Sequence, residues 1–249
     1  MTLVPNIDSS RRGLRSALLR CATGLAGLVA AMAIGLPALS TPVAAADFGR
    51  IEIGEPNTTA FVMSGQIVSG DLQKLQAETA KIAKGRRVVL ILESPGGSVD
   101  EGIALGRYVY AERIATFVVA GPGCASACTF IFLAGRDLTT GNPMRTMVAG
   151  ARLGFHQTRP ANLEAGKTYT PQEVLAFTTG SQNAIRLIEA YFRDIKAEPQ
   201  FLALTLSSPT QSLTFIGELE ALRLGINLID PSNQKLIRAN TATEKVSLR

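Results

Sequence analysis

One serine in this 249-residue chain stands where an apolar strand turns into an apolar helix: Ser126, in Gly123-Cys124-Ala125-Ser126-Ala127-Cys128-Thr129-Phe130-Ile131. A helix that starts beside a hydroxyl aims the positive end of its dipole there. It also offers the amide of Ala127 to negative charge growing on a substrate carbonyl oxygen. Serine is equally a common helix cap, so position alone assigns Ser126 to capping. A second element, Glu93-Ser94-Pro95-Gly96-Gly97-Ser98, follows an apolar run and precedes a helical pattern. Two successive glycines open backbone conformations closed to other residues and let a substrate come close, although Pro-Gly-Gly taken singly reads as a plain turn. The third element is His156, the only histidine, in Leu153-Gly154-Phe155-His156-Gln157. Imidazole is the usual general base for a serine, yet a lone histidine at the end of an apolar strand is more often a packed structural residue. A nucleophile, a base and free amides together spell acyl transfer.

Those residues need elements to hold them. Residues 88–92 form an uninterrupted apolar run of strand length, the mark of a strand covered on both faces. Residues 115–120 read as a second buried strand, and short strands are expected at 51–53, 60–63, within 147–157, and last at 226–229. Helices are expected over 71–84, 100–110, from Ser126 to about 134, 170–196, after Pro199, and over 218–224. The fourth of these segments opens with Thr170-Pro171-Gln172-Glu173, a capping box with proline at the first helical position. Strands alternating with helices predict an α/β layer fold.

The first 46 residues read differently from the rest. Arg11, Arg12, Arg15 and Arg20 precede an apolar stretch over 21–36, and Ala44-Ala45-Ala46 follows; this is the layout of an export signal, with cleavage expected after Ala46. The Arg11-Arg12 pair resembles the twin-arginine variant. Left uncleaved, the apolar stretch would instead be an anchor helix that keeps the body outside the cytoplasm, at the membrane and within reach of a membrane-associated partner. The leader accounts for three of the five net positive charges. What remains is scattered, with few aromatic residues and no tryptophan, which argues against nucleic-acid binding. The body is expected to span 47–239 as one domain, with a frayed tail over 240–249.

Of three cysteines, Cys21 lies in the leader. Cys124 and Cys128 remain, and in an exported protein such a pair reads as a disulfide before it reads as a metal site. In a regular helix, residues four apart hold their Cβ atoms about 5 to 6 Å apart, too far for a bridge. A disulfide therefore requires Cys124 to precede the helix proper. No metal and no organic cofactor is expected.

The strand with Ser94-Pro95-Gly96-Gly97-Ser98, the Cys124-Ala125-Ser126-Ala127-Cys128 elbow and Gly154-Phe155-His156-Gln157 together resemble the core of the Clp-type serine peptidases, within the crotonase-like superfamily. The likeness is strongest to an exported bacterial branch with two cysteines around the serine. The resemblance implies a crotonase-like spiral of strand-strand-helix units. It puts Ser126 on the nucleophile, His156 on the general base, and the amides of Gly97 and Ala127 on the oxyanion hole. It also implies a peptide or protein substrate bound as an added strand, and a homo-oligomer built partly through the helix over 170–196. One feature departs from the family: the stretch Ser207 to Phe215, where those peptidases carry an acid that orients the histidine, contains no carboxylate. Gln211, Ser212, Thr214 or a backbone carbonyl would have to take that place. The resulting expectation is an exported serine endopeptidase working through a Ser-His pair. The alternative is a peptide- or protein-binding module on the same scaffold that does not cut.

Overall fold

A run such as residues 88–92, apolar at every position, must be covered on both faces, and the chain meets that demand by placing it in the strand Arg87–Glu93, inside a seven-stranded sheet. The structure is a computed structural model that describes residues 45–158, 163–164 and 166–239. Most of the expected leader, through residue 44, and the expected tail from residue 240 lie outside the described residues. Ala45 bridges to Gln66, and the buried Ala46 accepts a hydrogen bond from Lys74 Nζ at 3.0 Å, so the last two residues of the expected leader are packed on the body.

In chain order the elements are β1 (Asp47–Ile51), β2 (Thr58–Ser64), α1 (Asp71–Thr79), β3 (Arg87–Glu93), α2 (Val99–Ala111), β4 (Ala115–Val118), β5 (Cys124–Ala125) and α3 (Ala127–Leu133). They continue with β6 (Arg145–Val148), β7 (Leu153–Phe155), α4 (Pro171–Asp194), α5 (Pro199–Ser207), β8 (Thr214–Phe215), α6 (Glu218–Arg223), β9 (Asn227–Asp230) and β10 (Lys235–Ile237). The large sheet runs β1-β2-β3-β4-β6-β9-β10, parallel through its centre and antiparallel at both edges. A second sheet of three short strands, β5-β7-β8, carries the segments that matter for chemistry. The fold is thus mixed α/β.

Alternation along the central strands divides the core in two. Phe61, Leu90, Leu92, Val118, Met147 and Leu228 belong to the larger cluster, which also takes in the helices, whereas Ala60, Val89, Ile91, Phe117 and Ile229 form a smaller one. Within the larger cluster α4 reaches across two helices. Tyr191 passes over Gly106 of α2, where a Cβ would lie 2.0 Å from the phenol oxygen, and donates to the Phe130 carbonyl of α3 at 2.6 Å. Burial pushes the Tyr191 phenol far above its ordinary pKa, so it stays a donor across the usable pH range.

Besides the two short strands β5 and β8, which were not expected, three elements differ from the sequence expectation, each for a local reason. Helix α1 stops at Thr79 instead of running to residue 84, because the Thr79 hydroxyl bonds back to the Leu75 and Gln76 carbonyls and the chain tightens into turns ending at Gly85 (φ 83°). The first strand lies at 47–51, not 51–53, since its partner β2 pairs with Asp47 through Ile51. An unexpected strand, β10, returns beside β9 through a turn in which Asp230 accepts from the Ser232 amide and hydroxyl.

Helix α5 is fixed at its start by an ion pair between a buried arginine and a half-buried glutamate. Arg145, fully buried on β6, donates to Glu198 and to the Leu133, Leu224 and Gly225 carbonyls, with its guanidinium 5.1 Å from the centre of the Phe201 ring. Burial lowers the pKa of this guanidinium, and the Glu198 carboxylate opposes that shift. Glu198→Ala is expected to destabilise the protein by about 3 kcal/mol in urea denaturation, because it leaves Arg145 buried without a counter-charge. A change below about 1 kcal/mol would mean that the three remaining carbonyl contacts suffice.

Candidate active site

Ser126 occupies the N-cap position of α3 with φ 56° and ψ −130°. A non-glycine residue with positive φ is strained, and strain of this kind persists only where the surroundings over-determine it. The surroundings here are explicit. The Ser126 amide donates to the Gly154 carbonyl of β7 at 3.0 Å, and the Ser126 carbonyl accepts from both the amide and hydroxyl of Thr129. Capping would consume the hydroxyl, but the side chain makes no cap hydrogen bond. Ser126 is half-buried, with its Oγ free among the described residues.

The glycine turn is docked against this elbow from the other side. Buried Ser94 accepts from the Gly96 amide at 3.1 Å, its own amide donates to Gly123 O, and its carbonyl accepts from Ala125 N. Ile67 brackets the far side of the turn, donating to Gly96 O and accepting from Ser98 N, both at 2.9 Å. Gly96 (φ 97°) lies so close to the elbow that a Cβ would sit 2.6 Å from Ser126 Cβ and 3.0 Å from Ala127 N. Gly97 (φ 150°) is blocked in the same way by the Ile67 carbonyl, at 2.1 Å.

This accounting leaves two amides over. Every other polar group of the Ser94–Ser98 turn that faces β5 or Ile67 is paired, while the amides of Gly97 and Ala127 have no acceptor among the described residues. The first amides of a helix have no intrahelical partner, so the Ala127 amide is free by position, whereas the turn amide of Gly97 is of the kind seldom left unpaired; the two lie beside one serine. An arrangement of this kind can receive a carbonyl oxygen as it becomes negative.

His156 directly follows β7. In the β5–β7 register Ala125 lies opposite Gly154, which places His156 on the strand beside the elbow. The ring Nδ1 is 2.6 Å from the Gln157 carbonyl oxygen. No hydrogen bond joins His156 to Gln211, Ser212 or Thr214, and none joins its ring to the Ser126 hydroxyl. Catalytic hydrogen bonds in unliganded sites are often long and tighten only around substrate. Of the carboxylate-free stretch, Thr214 and Phe215 form β8, whose Phe215 ring covers Gly154, with the Arg152 guanidinium 4.2 Å from the ring centre.

Cys124 and Cys128 are joined in a disulfide with their Cα atoms 5.4 Å apart. The geometric condition read from the sequence is met because Cys124 lies in β5 and the helix begins only at Ala127. The bond therefore closes directly around Ser126. The double variant Cys124→Ala, Cys128→Ala is expected to lose about 2 kcal/mol, as a small closed loop suggests; calorimetry would show this as a lower Tm, and an unchanged Tm would mean the elbow is rigid without the bond. Among the described residues no group of His, Cys, Asp and Glu side chains is placed to hold a metal ion.

Beside the turn and the histidine runs a groove of about 270 Å³, lined by Val99, Thr158 and one face of α4 that includes Ala176, Phe177, Gly180 and Ala184. Two site residues carried little or no chemical signature in the sequence. Gly96 was visible only as half of a glycine pair, and Gln157 obeys no spacing rule.

No family model and no curated protein matches the chain. Among solved structures it is similar to a point mutant of ClpP1 from Listeria monocytogenes, with 15% identity and a TM-score of 0.48, over 70% of this chain and 93% of that one.

Proposed function

We propose that the protein is a serine endopeptidase in which Ser126 attacks a peptide carbonyl, His156 accepts and returns the proton, and the amides of Gly97 and Ala127 hold the oxyanion. The observation that carries this reading is the pair of unpaired amides on either side of a strained, uncapped serine. The Ala127 amide is free at any helix start, so what a merely structural elbow has no use for is the free Gly97 amide beside a strained, uncapped serine. The half-buried His156, on the strand next to the elbow, supplies the base the chemistry requires.

The scaffold we assign is the crotonase-like spiral. In support, the chain twice visits the large sheet, then the small sheet, then a helix: β4, β5, α3 and again β6, β7, α4. An extended peptide would lie along the Gly96-Gly97 turn, with an apolar side chain in the groove against α4. Exposed Val174 and Leu175 near the start of α4 support a homo-oligomer built through that helix. The Cys124–Cys128 bond suits an oxidising compartment outside the cytoplasm.

A fluorophosphonate probe on the purified protein tests the reading. Expected is covalent labelling located at Ser126 by mass spectrometry, absent in Ser126→Ala and reduced sharply in His156→Ala. Absence of labelling in the native chain would reject hydrolysis and leave a peptide-binding module on the same fold.

A further inference from the structure

We propose that Gln157 is the positioning residue of this site, taking the place an orienting acid would fill, with its backbone carbonyl fixing the tautomer of His156 and its side chain fixing that carbonyl. The proposal rests on the peptidase reading of Ser126 and His156.

A carbonyl oxygen only accepts hydrogen bonds. At 2.6 Å from Gln157 O, His156 Nδ1 must therefore carry the proton, which in a neutral imidazole leaves the lone pair on Nε2. That is the tautomer a base for Ser126 needs, because Nε2 is the nitrogen left to face substrate and hydroxyl. The carbonyl of the next residue along the chain is a poor clamp if its peptide can swing. Here the residue that carries it is tied twice: the Gln157 amide, in the preceding peptide, donates to Ser208 O at 3.3 Å, and the side-chain Nε2 donates to Leu206 O.

Both acceptors belong to the end of α5, where a helix leaves its last carbonyls unpaired. That end is itself held. The Ser208 amide and hydroxyl close back on Leu204 O at 3.2 and 2.6 Å, and buried Phe201 stacks on Phe155, the residue before His156, with ring centres 6.2 Å apart. Helix α5 thus supports both sides of the histidine, Phe155 through its first turn and Gln157 through its C-terminal end. The absence of a carboxylate between Ser207 and Phe215 leaves the ring's orientation to this arrangement.

Because His156 is the only histidine, its tautomer can be read without assignment from proton–nitrogen correlation spectra of the ¹⁵N-labelled ring in the purified chain. The wild type is expected to show the Nδ1–H form. Gln157→Ala and Gln157→Glu are expected to shift the population toward Nε2–H and to slow fluorophosphonate labelling by roughly tenfold to a hundredfold, the effect of small misplacements at a reacting centre. The glutamate variant keeps the volume of the side chain but cannot donate to Leu206 O, so a mere filling role would leave it like wild type.

An Nε2–H tautomer in the wild type overturns the proposal, as does wild-type labelling and tautomer in the glutamate variant. If the alanine variant does not fold, the wild-type spectrum and the glutamate variant still decide. A native chain in the Nδ1–H form that takes no label would sink the peptidase reading and leave the clamp on His156 standing.

Discussion

Ser126→Gly is expected to abolish peptide hydrolysis while making the protein more stable. The native residue holds φ 56° and ψ −130°, which a side chain disfavours and glycine accepts readily. Relief of that strain is worth on the order of 1 kcal/mol. Losing the nucleophile of a serine hydrolase lowers turnover on the order of a millionfold. Ser126→Ala separates the two effects, because alanine removes the hydroxyl and keeps the strained Cβ. It should be as inactive as the glycine variant without its gain in stability, as read by urea denaturation. Turnover remaining in either variant would show that another group is the nucleophile; a glycine variant no more stable than the alanine one would show that the elbow is not strained.

The second large effect is expected at Gly96. A methyl group there would stand 2.6 Å from the Ala125 carbonyl oxygen and from Ser126 Cβ, at a backbone φ of 97°. Backbone and elbow have to separate, and the amide of Gly97 leaves its place opposite that of Ala127. Misplacing one oxyanion donor lowers kcat about a hundredfold to a thousandfold. Overpacking together with left-handed strain costs about 2 to 4 kcal/mol. Gly121→Ala is the control, because its φ of 146° is also positive but nothing lies within 4 Å of the added methyl. It should bear the strain alone and keep its activity. Equal losses in the two variants would show that positive φ, and not the contact with Ser126, is what matters at Gly96.

Much of this arrangement was legible before any coordinates. The run over 88–92 named an interior strand, because apolar residues at every position leave no face for water; it became β3, between β2 and β4. The capping box at Thr170 and Glu173 named the start of α4, because both partners lie within one helical turn. Ser126, His156, Gly97 and Ala127 stood out as candidates by residue type, by their place at turns and by family likeness. The two-residue strands β5 and β8 were not legible. Too short to show a period, they are strands only because β7 runs between them.

Local pattern sufficed for the α/β layering, the long helix, and the choice of side chains with the chemistry for acyl transfer. Each of these depends on residues within a turn or a strand length of one another. Long-range packing was needed to bring the Ser94–Ser98 turn against the elbow, to leave the Gly97 amide unpaired beside that of Ala127, and to join the His156 ring to Gln157 and not to the stretch after α5. Whether a backbone amide is satisfied depends on which distant segment comes to lie beside it, and no local pattern of residues carries that information.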